Sequence, residues 1–140
     1  MATFNKIRQF AEDVYEKVHN MGSDALTFAL TAAANAPVNT NTILANLTQI
    51  SYTNLSTRVP TISSSAQTAG VYKLVLTDLV LSASGGSVAP FRYPVLYNDT
   101  PTSPADPLIG WYDYGSDLTL ASGESLTLDF DGTNGVLQHT

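Results

Sequence analysis

The chain contains no cysteine, which excludes disulfide frameworks, thiolate zinc sites and cysteine nucleophiles together. Charge is scarce too. Lys and Arg number six, Asp and Glu twelve, and charged residues make up 13% of the 140 residues. The formal charge of −6 repels phosphate backbones, so no direct nucleic-acid contact is expected. The only histidines are His19 and His139, and neither position supplies an obvious base for a Ser or Thr nucleophile. No stretch approaches the roughly 20 apolar residues that span a bilayer. Acids at Glu12 and Asp13 stand where a signal peptide would be apolar. A protein made in a cytosol-like compartment, without a membrane partner, is the expectation. In that setting the sequons at Asn46, Asn54 and Asn98 carry no glycosylation meaning.

What is present is enough apolar material for one core: 44% of residues are hydrophobic, and a chain of this length buries about two-thirds of its unfolded surface. Phe4, Ile7, Phe10, Val14, Val18 and Met21 recur at spacings of three and four, with Glu12, Asp13, Glu16 and Lys17 between them. This spacing predicts an amphipathic helix closed by Asn20 and Gly22. Residues 1–22 are therefore read as a helix or arm and 23–140 as a β domain. The helix stripe serves either its own domain or a neighbour, which makes Phe4 and Ile7 interface candidates.

After Gly22 the period drops to two, with Leu26, Phe28 and Leu30 alternating with Thr27, Ala29 and Thr31. Residues 32–46 read as a loop with one helical turn, and weak strands are expected at 47–52 and 58–63. Stronger strands follow at 71–82, ended by the Ser84-Gly85-Gly86-Ser87 turn, at 91–97 and at 108–114. Pro94 points to an edge strand or a bulge, because its nitrogen cannot donate. Leu118 and Leu120 are expected to pair with Leu126, Leu128 and Phe130 across the Ala121–Glu124 turn. Asp131-Gly132 and Asn134-Gly135 supply positive φ for a turn into a last strand at 136–138. Short strands at this spacing predict a mainly β fold, an antiparallel sandwich or barrel with one N-terminal helix.

Motifs with chemical content are few. Gly85-Gly86 lacks the lysine of a phosphate loop. Asp129, Asp131 and Asn134 resemble a calcium loop in order but not in spacing, and no terminal Glu follows. Asp106, Asp113, Asp117 and Glu124 supply carboxylates for glycoside hydrolysis, yet spacing brings no two of them together. No catalytic residue, cofactor or metal is expected. Trp111, Tyr112, Tyr114, Tyr93 and Tyr97 offer aromatic surface for a sugar or a protein. Alternation puts Trp111 and Tyr112 on opposite faces. Trp111 is assigned to the core, and Tyr112 and Tyr114 are interface candidates.

The segments Phe91-Arg92-Tyr93, Val95 to Asp99, Leu108 to Gly115 and Gly123 to Phe130, with Phe4-Asn5-Lys6, Glu12-Asp13-Val14 and Val18-His19-Asn20 at the start, resemble a family of small tailed-bacteriophage virion proteins. The likeness is weakest from Asn35 to Thr68. The resemblance implies a virion location, with assembly in the bacterial cytoplasm. The role it implies is a non-enzymatic capsid decoration (cement) protein, trimeric and bridging subunits of the major capsid protein. A tail or baseplate component and a host-glycan-binding module are the alternatives.

Overall fold

A strand opens the chain, although the apolar spacing predicts a helix from residue 4. The computed structural model describes residues 2–140, so Met1 of the expected 1–22 segment lies outside them. Phe4–Lys6 (β1) pairs with Leu108–Tyr112 (β7), and the helix is only Gln9–Tyr15 (α1). Lys17, at φ 66°, ends it: the Lys17 N–H donates to the Val14 carbonyl and the Val18 N–H to that of Asp13. These are the two bonds of a Schellman closure, formed here around a lysine rather than around Asn20 and Gly22. Residues 4–6 are thus built into the sheet as its edge strand.

The fold is mainly β, with antiparallel sheets and 39% of residues in strands. The remaining strands are Leu26–Thr31 (β2), Thr61–Thr68 (β3), Val71–Thr77 (β4), Leu79–Ser82 (β5), Tyr93–Asn98 (β6), Ser125–Leu128 (β8) and Leu137–His139 (β9). They form a four-stranded sheet in the order β1-β7-β6-β2, a three-stranded sheet β3-β4-β9 and a two-stranded sheet β5-β8. The sheets stack as in a sandwich and do not close into a barrel. Single 3-10 turns at Ala33–Asn35 and Leu44–Asn46 break the long loop after β2.

The main core lies between the sheets. Leu26, Phe28 and Leu30 of β2 meet Leu74, Leu81, Phe91, Leu128 and Phe130 there. A second cluster covers the opposite face of the four-stranded sheet, with Ile7, Ala29, Tyr93, Val95, Tyr97 and Leu108 buried. Both faces of β2 and β6 are therefore covered, and every residue of both strands is buried.

Two register details decide which side chains go where. In the β6–β7 ladder Leu96 faces Gly110 while Tyr97 faces Leu108, so Ile109 is an extra residue on β7. Such a bulge resets the alternation. Ile109 and Tyr112 face the main core, whereas Leu108 and Trp111 face the second cluster. Pro94 lies in inner strand β6 opposite Leu30, not at an edge. The ladder to β7 starts only at Val95 with Trp111, so the proline nitrogen falls beyond the end of that ladder.

The hairpin expected around residues 121–124 has its turn but not its partner. Glu124 N–H donates to the Ala121 carbonyl, and Gly123 has φ 89°. Yet β8 pairs with β5, Leu79 opposite Leu128 and Leu81 opposite Leu126. Leu118 bridges Phe91 instead. Asp78 separates β4 from β5 and accepts the Phe130 N–H at 2.8 Å. The last turn forms with positive φ at Gly135 and not at Gly132.

The weak strand at 47–52 is absent, and the segment has another task. The Ile50 N–H donates to the Leu30 carbonyl, the Leu30 N–H to the Tyr52 hydroxyl, and the Phe28 N–H to the Arg58 carbonyl. The Arg58 guanidinium rests on the Tyr52 ring at 3.6 Å. These contacts cover the outer edge of β2, one way in which a sheet edge is kept from pairing with other chains.

Candidate functional site

Two surface features stand apart from the core: an interlayer groove and an uncovered strand edge. The groove, about 870 Å³, lies between α1 with the turn following it and one face of the β3-β4-β9 sheet. Phe10, Val14 and Met21 line one side, Tyr72 and Leu137 the other. Tyr72 is opposite His139 in the β4–β9 register, and Leu74 is opposite Leu137, so all four belong to one sheet face. At the rim the Tyr15 hydroxyl meets His139 Nε2 at 3.1 Å, with the two rings edge to face. Tyr15 is 73% exposed, the most exposed large hydrophobic side chain among the described residues.

His19 forms part of the groove wall and belongs to a buried polar set. Asn98 Nδ2 is 3.0 Å from His19 Nδ1 and donates to Asp24 Oδ2 at 2.7 Å, while Asn98 Oδ1 accepts the Thr100 N–H. With the Asn98 amide oriented by Asp24 and Thr100, Nδ1 must accept, which places the imidazole proton on Nε2. That Nε2 and Asp13 Oδ2 are buried, 4.0 Å apart and without hydrogen-bond partners. Burial pushes the imidazole below its ordinary value, opposed by the charges of Asp13 and Asp24.

The uncovered edge belongs to β3, which ends its sheet and pairs only with β4. Its sequence, TISSSAQT, carries no charge and no proline. One irregularity between Ile62 and Ser64 is the only edge-blunting device on it.

The four interface candidates fare differently. Ile7 is 2% exposed and Tyr112 6% exposed, each covered by its own chain, so neither is free to touch a partner. Phe4 is half-buried, its ring 5.0 Å from that of Tyr112. Tyr114 keeps part of its surface open. Trp111 is the half-buried member of the pair, packed against the second cluster, and Tyr112 is the residue in the main core; the two lie on opposite faces, as alternation predicts.

The acidic candidates are dispersed into local roles. Asp113 holds Arg92 through two bonds at 2.7 and 3.1 Å, Asp117 accepts the Ala33 N–H, and Glu124 accepts that of Ala121. Asp131 caps its own turn, Oδ1 accepting from the Thr133 and Asn134 N–H groups and Oδ2 from the Asn134 amide. Among the described residues no three His, Asp or Glu side chains converge as a metal site would require. Sequence reasoning missed the groove, since its walls come from both ends of the chain. Of β3, only a weak strand at 58–63 was legible; its run on to Thr68 and its place at an edge were not.

Comparison with protein-family models, with curated proteins and with solved structures gives no match.

Proposed function

We propose that this chain is a structural protein of a bacteriophage virion that works by contact rather than by catalysis. Its most fitting role is decoration of the head, joined to copies of itself as a trimer and to the major capsid protein. The observation that carries the contact part of this reading is the β3 edge: eight residues without charge at the open end of the three-stranded sheet, whereas the β2 edge of the four-stranded sheet is covered. An open strand edge recognises another extended segment through backbone hydrogen bonds. Donated head to tail and closed by rotation, such a contact generates a ring. The virion part rests on the resemblance of residues 91–99, 108–115 and 123–130.

The decisive experiment is the copy number of the protein in purified particles, together with its oligomeric state in solution. Hundreds of copies per particle and a trimer that Ala66→Asp converts to monomer are the expected results. A few copies per particle would move the protein to the tail or baseplate. A monomer absent from particles would overturn the reading altogether.

A further inference from the structure

We propose that the groove between α1 and the β3-β4-β9 sheet binds a free single-chain amphiphile with an anionic head, of the fatty-acid type. This site touches β3 only through Ser65, on the face of the strand rather than along its open backbone edge, and does not depend on the virion reading.

The volume, about 870 Å³, falls within the range of small-molecule sites, which are mostly apolar with a few placed polar groups. The walls fit that description. Aliphatic and aromatic side chains of Phe10, Val14, Met21, Tyr72 and Leu137 offer a slot in which a hydrocarbon chain leaves water on both sides.

Charge selects the head group. The chain carries twelve acids against six Lys and Arg, yet Lys6 and Lys17 line the groove and no Asp or Glu does. On a surface dominated by carboxylates, this is a local inversion of sign. It favours an anion over a cation of equal apolar length. Asp13, 4.0 Å from His19, is buried and is not part of the lining.

The test is calorimetric titration of the full chain with dodecanoate below its micelle concentration, with dodecyltrimethylammonium and with butyrate as comparisons. Dodecanoate should bind about tenfold more tightly than the cationic amphiphile, and butyrate should not bind measurably. Ser65→Trp, on the exposed β3 strand at the groove wall, should weaken dodecanoate binding about tenfold or more by filling the slot while leaving the fold intact by circular dichroism. Lys6→Glu with Lys17→Glu should remove the preference for the anionic head but keep an affinity for the apolar tail. Failure of dodecanoate to bind, equal affinity for the two head groups in the unaltered protein, or binding indifferent to Ser65→Trp would each overturn the proposal.

Discussion

The ring of Phe4 occupies the space that a side chain on Gly110 would need: a Cβ built on Gly110 comes within 2.5 Å of Phe4 Cζ and 2.6 Å of the Asn5 carbonyl oxygen. Glycine at this position in β7 lets β1 close onto the sheet and lets Phe4 reach Tyr112. Gly110→Ala is therefore expected to push β1 off its edge, destabilising the protein by about 1 to 3 kcal/mol, as overpacking does. Chemical denaturation and faster proteolysis near residues 2–8 are the readouts. An unchanged midpoint would show that β1 contributes little.

Phe130 stacks on Phe28 with ring centroids 5.6 Å apart and an interplanar angle of 8°, and it also contacts Tyr112 at 6.0 Å. It joins the turn region after β8 to the four-stranded sheet. Phe130→Ala should cost roughly 3 to 5 kcal/mol through lost burial and the cavity left behind. A loss below about 1 kcal/mol in equilibrium unfolding would mean that the site collapses freely.

The pH dependence of stability should carry the mark of His19. Burial holds the folded imidazole below its ordinary value of 6.5, so the unfolded chain takes up the proton first as pH falls. No penalty exists above that value. Stability then declines as the pH drops through 6.5 toward the lower folded value, and the decline stops below it. Protonation at Nδ1 would also break the contact with Asn98. Thermal midpoints of the unaltered protein should fall between about pH 7 and pH 5, and His19→Gln should flatten that slope. An equal slope in both proteins would assign the decline to carboxylates instead.

Calcium should leave the fold unchanged. The Asp131 carboxylate already accepts three bonds within its turn, and those from Asn134, its backbone N–H first, together with that from Thr133, hold it below the usual carboxylate range. Melting curves with a chelator and with calcium are expected to coincide. A calcium-dependent rise of more than about 5 °C, on the order of 1 kcal/mol for a domain this size, would show an ion displacing those bonds.

Most strands and turns were legible in the sequence, because both are local; β1 and the absent strand at 47–52 were the exceptions. Period-two alternation marks β2, β6 and β8, an apolar β-branched run marks β4 with β5, and the positive-φ glycines at 85, 86, 123 and 135 fall where turn chemistry puts them. Partner choice is not local. Leu126 and Leu128 alternate identically whether they face Leu118 and Leu120 or Leu79 and Leu81, and only the stacked sheets select the latter. The spacing of Phe4, Ile7 and Phe10 suits a helix, but the free edge of β7 offers residues 4–6 backbone partners that an isolated helix end lacks. Tertiary structure likewise decided the fates of Trp111 and Tyr112. One extra residue at Ile109 reverses the faces of all that follows it on the strand, and a bulge of that kind is visible only once the two strands are paired. The groove belongs to the same class of fact. Its walls join residues 6–22 to residues 137–139, positions that no pattern along the chain relates until the sheets are stacked.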